Sequence, residues 1–251
     1  MKLTTIATLA ALAALPTVSY ADLAFNAGVF SDYRYRGISQ TRLKPAVQGG
    51  VDFSAGGLYV GAWASTIKWV KDAYGDAQIE LDLYGGYKGD IVKDSLSYDV
   101  GLLQYVYPGA KTTTWSTAYK DPNTTELYGA LTFGPATLKV SYALTNLFGN
   151  YDIGAGKDSK GSTYVDLSAS FDVGAGILLA PHLGYQKVVH IANASYTDYS
   201  LTLSKDFSGL VPSLAIVGTD ANKSFYVPGG AANSSKFLGK AGVVAGLKYN
   251  F

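Results

Sequence analysis

The chain contains no cysteine and carries almost no excess charge of either sign. Without cysteine, its 251 residues form no disulfide and offer no thiolate to a metal ion. The formal net charge is +1, so the composition points neither to nucleic acid nor to an anionic surface as a partner. Histidine is scarce as well, since only His182 and His190 are present, and this leaves few candidates for acid–base catalysis.

Long hydrophobic runs are missing beyond residue 21. A bilayer-spanning helix needs roughly 20 consecutive apolar residues, and charged residues interrupt every later stretch of the chain. An apolar run does lie at the start, where Lys2 precedes residues 3–15 and Pro16 is followed by Ser19-Tyr20-Ala21. This order is typical of a secretory signal peptide. We therefore expect a signal peptide over 1–21, cleaved near Ala21, and a mature domain over 22–251.

What the chain does contain is glycine and tyrosine, set in alternating segments. Its 29 glycines and 20 tyrosines suit strands with wet ends, because tyrosine combines an apolar ring with a polar tip. Residues 163–173 alternate apolar and polar side chains, which is typical of an extended strand with two different faces. About twelve such segments of about ten residues, the length of a tilted membrane strand, are predicted at 23–36, 46–55, 57–66, 77–88, 95–107, 124–133, 136–146, 163–173, 176–187, 195–206, 210–219 and 240–251.

The predicted connections alternate in length. Tight glycine-bearing turns at 55–57, 133–135, 173–176 and 207–209 alternate with longer polar segments at 37–45, 67–76, 108–123, 147–162, 188–194 and 220–239. Residues 89–94 are intermediate in length and lie where a short turn is expected. The pattern predicts an all-β fold, a transmembrane up-and-down antiparallel β-barrel of about 12 strands with periplasmic N- and C-termini. A soluble β-sandwich is the alternative, but it has no reason to sort its loops by length onto opposite ends.

Four segments near the start of the mature chain resemble a known family. They read SDYRYRGISQ (31–40), PAVQGGVDF (45–53), LYVGAWAS (58–65) and ELDLYGGY (80–87). This series is similar to the TorF-type porin family, proteobacterial outer-membrane β-barrels long classed as proteins of unknown function. The resemblance implies a location in the outer membrane of a Gram-negative bacterium and a pore, but it brings no established substrate.

The last predicted strand ends on an aromatic residue. Phe251 and Tyr249 lie on its apolar face, and Asn250 and Lys248 lie on the other. This ending resembles the terminal strand of bacterial outer-membrane barrels, which serves as an assembly signal. We therefore expect the barrel-assembly machinery, outer-membrane lipid and lipopolysaccharide as partners.

The polar faces of the strands are expected to line the lumen. The candidates for a constriction are Asp32, Arg34, Arg36, Glu80, Asp82, Asp99, Glu126, Lys139, Asp166 and His182, with Asp52 and Lys248 also facing inward. Strand direction places Arg34 and Arg36 near the outer mouth, at a height similar to that of the acids at 80, 82, 126 and 166. Two interpretations remain open, a charge-selective constriction and a salt-bridge network that neutralises itself. The acids modestly outnumber the bases, which favours cations weakly.

Three functions are compatible with such a barrel. The first, which we favour, is a porin or channel for small polar solutes or ions. The second is a barrel enzyme acting on lipid, with a Ser–His pair built across strands around His182. The third is a structural or adhesive barrel with a blocked lumen. No enzyme activity, cofactor or metal site is expected, because neither histidine lies in a catalytic motif and no ligand cluster has suitable spacing.

Overall fold

The computed structural model describes residues 21–72, 75–110, 120–227 and 236–251. Twelve long strands account for most of this part of the chain. They are β1 (Asp22–Phe30), β2 (Ala46–Ala55), β3 (Leu58–Thr66), β4 (Ile79–Val92), β5 (Leu96–Val106), β6 (Thr124–Phe133), β7 (Ala136–Ala143), β8 (Thr163–Ala169), β9 (Ile177–Lys187), β10 (Tyr196–Lys205), β11 (Leu210–Thr219) and β12 (Gly242–Asn250).

The twelve strands form a single sheet that closes on itself. Each strand pairs antiparallel with the next one in the chain. The last strand returns to the first, with Asn26 opposite Asn250 and Phe30 opposite Gly246. Closure pairs the backbone of what would otherwise be two free edges. The predicted twelve-stranded antiparallel barrel is confirmed.

The outer face of the barrel is apolar around its circumference. On β12 the exposed positions are Val243, Ala245, Leu247 and Tyr249, and the intervening residues are less exposed. Leucine, valine and aromatic side chains are likewise exposed on the other strands. Exposed apolar surface of this extent is typical of a face that contacts lipid rather than water.

The two ends of the barrel differ in their connections. One end, here called the short-turn end, carries tight turns at 56–57, 93–95, 134–135, 173–176 and 206–209, together with the start of β1 and the end of β12. The opposite, long-loop end carries the described residues of the longer connections, 31–45, 67–72, 75–78, 107–110, 120–123, 144–162, 188–195, 220–227 and 236–241. The expected short turn near 89–94 is present, because β4 continues to Val92 and the turn is confined to 93–95.

The predicted bounds of the first strand, 23–36, are wrong at their C-terminal end. The strand ends at Phe30, and the chain then forms a small hairpin in which Arg34–Tyr35 pairs with Ile38–Ser39. The turn residues Arg36 and Gly37 both have positive φ, 46° and 77°, as a tight two-residue hairpin turn requires. Residues 33–40, here called the lumen hairpin, fold into the barrel instead of extending its wall.

Other connections also fold over the long-loop end. Trp69–Asp72 and Lys223–Tyr226 are short helices, and Leu147–Gly149 is a single 3-10 turn. In the described part of the chain, no helix has the length and apolar character needed to cross a membrane. Outside the barrel sheet, Tyr151–Asp152 pairs with Lys157–Asp158 in a small hairpin. Phe171–Asp172 pairs with β9 after a break at Ser170, so the predicted eighth strand is interrupted.

The inside–outside assignment yields a direct test on β10. Leu201 is 44% exposed on the outer face, whereas Thr202 faces inward between Ala180 and Ala215, which leave room for a long side chain. Leu201→Lys is expected to destabilise the folded barrel by about 2–4 kcal/mol, because it places a charge in hydrocarbon. Thr202→Lys is the matched control and is expected to cost much less. Urea titration of the barrel in lipid vesicles measures both, and equal losses would contradict the assignment.

Candidate lumen site

The lumen hairpin lies across the long-loop mouth of the barrel. Its Tyr33 hydroxyl donates to Glu80 Oε1 on β4 at 2.5 Å, and the Tyr35 hydroxyl is hydrogen-bonded to that of Tyr105 on β5. Glu80 is the second residue of its strand. Because a strand rises about 3.3 Å per residue, these contacts lie within about 10 Å of the long-loop end of the wall. The hairpin therefore narrows the lumen near its mouth.

Arg36, at the tip of the hairpin, reaches wall residues of three strands. Its Nη2 donates to Glu126 Oε2 on β6 at 2.7 Å, and its Nη1 donates to Gln186 Oε1 on β9 at 2.5 Å. The guanidinium lies over the ring of Tyr164 on β8, 4.2 Å from its centroid, and 4.8 Å from that of Tyr35. Burial alone would lower the pKa of Arg36, but the charge and hydrogen bond of Glu126 together with the interactions with Tyr35 and Tyr105 outweigh burial and hold the pKa above its ordinary value.

Gly37 lets the hairpin tip approach the wall. A Cβ atom at this position would lie 2.4 Å from Thr219 Cγ2 and 2.7 Å from Asp198 Cβ, so any side chain would clash. The positive φ of Gly37 also disfavours other residues. Position 37 therefore requires glycine for two separate reasons, backbone conformation and space.

Asp32 and Arg34 stabilise the hairpin itself. Their side chains form an ion pair, and Asp32 Oδ1 also accepts hydrogen bonds from Ser39 Oγ at 2.6 Å and Thr41 Oγ1 at 3.0 Å. Arg34 Nη1 donates at 2.9 Å to the carbonyl oxygens of Gly37 and Lys240. Sequence reasoning placed both residues on the first barrel strand. The structure instead gives them contacts that fix the fold of the hairpin and bind it to the connection before β12.

Glu80 and Asp82 form an acidic pair behind the hairpin on β4. Both are buried, and Glu80 accepts the hydrogen bond from Tyr33. Burial, followed by the negative charge of Glu80, raises the pKa of Tyr33 well above its usual range, so the tyrosine remains a neutral donor. Asp82 is 1% exposed, and neither of its carboxylate oxygens has a hydrogen-bond partner among the described residues.

His182, on β9, lies between two carboxylates from the neighbouring strands β8 and β10. Its Nδ1 is 2.8 Å from Asp166 Oδ2, and its Nε2 is 2.8 Å from Asp198 Oδ1. The Tyr164 hydroxyl donates to Asp198 at 3.0 Å and passes over Gly184, where a Cβ atom would lie 2.0 Å from it. Both imidazole nitrogens thus face carboxylates rather than a serine hydroxyl, which gives His182 the geometry of an ion-pair member.

The remaining predicted lumen residues lie towards the short-turn end and keep partial exposure. Asp99 accepts a hydrogen bond from Tyr59 at 2.5 Å, and Asp52 accepts one from Tyr84 at 2.5 Å. Lys139 lies over the ring of Tyr128, 3.9 Å from its centroid. Burial of the charged side chains therefore decreases along the lumen, from a packed long-loop mouth to a wetter short-turn half that also contains Lys248.

Aromatic side chains from other long connections pack against the hairpin. Phe148 makes edge-to-face contacts with Tyr35, Tyr105 and Trp69, at centroid distances of 5.6, 5.1 and 6.3 Å. Trp69 makes another with Tyr107 at 5.1 Å. These five rings are here called the aromatic cap. Together with the hairpin, the aromatic cap fills much of the long-loop mouth.

A cavity of about 340 Å³ lies beside the cap at the long-loop end. It is lined by basic side chains together with Ile67 and Gln78, the basic ones being Arg42, Lys68 and Lys71. Its charge is opposite to that of the buried acids below. Within the described ranges, no cluster of histidine and carboxylate side chains has the arrangement of a metal site.

Sequence reasoning missed several residues that complete the site. Asp198 alternates on the inward face of β10 and was detectable by the same rule as the other acids. The alternation rule could not have identified Gln186, Tyr105 or Tyr164 as site residues, because neutral side chains on a polar face give no signal of a specific partner. Each became recognisable only through contacts with the hairpin or with another strand.

The closed barrel, apolar outside and charged inside, has the fold of outer-membrane porins. A solved KdgM porin superimposes with a TM-score of 0.54 at 8% identity, covering 92% of this chain and 99% of that one. A KdgM porin in complex with disordered oligogalacturonate gives 0.52 at 9% identity, and a NanC porin gives 0.50 at 12%, with the same coverage. At such identities the likeness defines the fold.

A comparison of the whole sequence with models of protein families identifies the family of this chain. A family model described as "Bacterial protein of unknown function (Gcw_chp)" matches residues 14–251, and the chain belongs to this family. A search of curated protein sequences found no match.

Proposed function

We propose that the protein is an outer-membrane porin that lets small polar solutes or ions diffuse through a charged lumen. The observation that carries this proposal is the closed twelve-stranded barrel whose inner face bears ionisable side chains along its length. Charged side chains are costly inside a sealed, dry barrel and are stable where water reaches them. The partly exposed charges of the short-turn half fit a wet passage.

The charge balance favours cations as the transported species. Six described carboxylates are buried, at positions 32, 80, 82, 126, 166 and 198, and the basic groups at ion-pair distance from them are Arg34, Arg36 and His182. Fixed negative charge in a narrow passage concentrates cations.

A barrel with a permanently blocked lumen is the second candidate. The aromatic cap and the lumen hairpin favour it, because both fill the long-loop mouth. Planar-bilayer recording of the purified barrel separates the two candidates. Discrete current steps support the porin, and a barrel that folds but never conducts supports the structural interpretation.

Further parts of the proposal concern cellular context. We place the protein in the outer membrane of a Gram-negative bacterium, with the short-turn end and both termini in the periplasm. Cleavage near Ala21, the TorF-type assignment and contacts with lipopolysaccharide and the assembly machinery remain predictions from the sequence. Residues 1–20, which carry most of the predicted signal, lie outside the described part of the chain.

Selectivity provides a quantitative test of the charge argument. Glu80→Gln with Asp82→Asn is expected to remove most of the cation preference, measured as the reversal potential in a salt gradient. The matched control, Asp90→Asn with Asp94→Asn, removes the same charge at the exposed short-turn end of β4 and should change little. The preference should also weaken towards 1 M salt, where the Debye length falls to about 3 Å. An unchanged reversal potential in the first variant would exclude these acids from the conduction path.

A further inference from the structure

We propose that the pocket holding the Arg36 guanidinium is a binding site for guanidinium- or ammonium-bearing solutes, with Arg36 as its built-in occupant. This inference rests on the proposed porin function and specifies the class of solute. The pocket offers a carboxylate from Glu126, an amide oxygen from Gln186 and the face of Tyr164. These groups, a charged acceptor, a neutral acceptor and an aromatic face, are those that recognise organic cations.

The walls of this pocket are held in place without Arg36. Glu126 Oε2 also accepts a hydrogen bond from Tyr105 at 3.1 Å, and Gln186 Nε2 donates to the carbonyl oxygen of Thr163 at 3.0 Å. The Tyr164 hydroxyl is bound to Asp198. Each wall residue therefore has a second partner on the barrel. A pocket whose walls are fixed independently retains its shape when the arginine leaves.

The surroundings of the pocket contain a further carboxyl group that Arg36 does not bind. Asp82 lies within electrostatic range of Glu126 and Glu80, is almost fully buried, and has no hydrogen-bond partner within the described ranges. The region therefore contains several carboxylate groups besides the one that binds Arg36. A solute cation that enters from the lumen meets these further oxygen acceptors next to the pocket.

Arg36, the occupant of the pocket, lies in a connection between two barrel strands and not in the barrel wall. Arg36 sits at a tight turn between two strands of two residues each, and the side-chain contacts of the pocket hold its guanidinium. A solute cation that takes over the contacts with Glu126, Gln186 and Tyr164 replaces bonds of the same kind. Such an exchange would release the hairpin tip from the wall, coupling solute binding to opening of the mouth.

The test removes the Arg36 side chain from the pocket and supplies a free cation in solution. Arg36→Gly removes the side chain and suits the positive φ at this position. Ethylguanidinium is the probe, its uncharged isostere ethylurea is the comparison ligand, and binding to the detergent-solubilised full barrel is measured by calorimetry. If Arg36 occupies the pocket for more than about 90% of the time, its removal should tighten binding about tenfold or more. Adding Glu126→Gln to Arg36→Gly should abolish the gain, and ethylurea should not bind.

Matched variants make the outcome decisive. Arg42→Gly removes another arginine with positive φ, 59°, from the same connection, and it should bind the probe as the unchanged chain does. Arg36→Asn replaces Arg36→Gly if the glycine variant does not fold. Weak binding by every variant, or equal gains from Arg36→Gly and Arg42→Gly, overturns the site. Failure of the unchanged and vacated barrels to conduct any ion overturns the porin function instead, and the calorimetric result still decides whether the pocket exists.

Discussion

Removal of the lumen hairpin should increase single-channel conductance severalfold. The backbone N–H of Gln40 donates to the carbonyl oxygen of Tyr33 at 2.8 Å, so residues 34–39 can be replaced by an Asn-Gly turn without stretching the chain. The replacement withdraws Arg36 from Glu126 and Tyr35 from Tyr105. Since these contacts lie across the mouth, their loss widens the narrow part of the lumen.

The stability of the same variant should fall only moderately. Removing one partner of a buried ion pair costs about 3–5 kcal/mol when the other remains dry. Here the opened lumen admits water to Glu126, so we expect a smaller loss. The control variant replaces the exposed turn at 153–156, in the small hairpin that pairs Tyr151–Asp152 with Lys157–Asp158, with the same Asn-Gly pair. The conductance of this control should equal that of the unchanged chain. If the hairpin variant conducts like the unchanged chain, the four rings of the aromatic cap that remain without Tyr35 are the obstruction.

Deletion of Phe251 should remove most of the folded barrel from the outer membrane of expressing cells. Phe251 is 75% exposed, its N–H donates to the Phe25 carbonyl oxygen at 3.0 Å, and its ring makes an edge-to-face contact with Tyr249 at 4.9 Å. One hydrogen bond and one exposed ring contact contribute only about 1–2 kcal/mol to stability. A large loss in cells therefore reports recognition during assembly and not a weaker barrel.

Two measurements separate these causes. The heat-modifiable band on gels gives the amount of folded barrel in cells, and refolding of the purified chain into detergent gives its intrinsic stability. We expect the deletion to reduce the amount of folded barrel in cells strongly and the intrinsic stability of the barrel slightly. Phe207→Ala, which removes an exposed aromatic ring at the same end of the barrel, should reduce neither by much. Normal amounts of folded barrel in the deletion strain would argue against Phe251 as an assembly signal.

The sequence by itself determined the barrel wall. A period of two repeated in about twelve segments specifies strands with one lipid face and one inner face, because side chains alternate on an extended backbone. The alternation predicted from residues matches the observed exposure residue by residue on β12 and over residues 164–168 of β8. Short and long connections were likewise readable, since glycine-rich turns are local signals.

Only the tertiary structure decided what fills the lumen inside the barrel wall. Residues 31–36 alternate as a strand would, yet the positive φ of Arg36 and Gly37 turns the chain back into the lumen. The alternation of side chains is the same for a continuous strand and for a hairpin. Arg36-Gly37 between alternating residues was a hint of a hairpin turn. The choice depends on wall groups far away in sequence, such as Glu126 and Gln186, which receive the arginine.

The charge pairs inside the barrel were undetermined for the same reason. Asp166, His182 and Asp198 lie on three successive strands, and the sequence places each on an inner face. Their heights relative to one another depend on the register of the β8–β9 and β9–β10 pairings. Periodicity records which face a side chain occupies and not which partner it meets, because the partner is set by the register of neighbouring strands. Here Asp166 and Asp198 both lie opposite Gly184, two residues from His182.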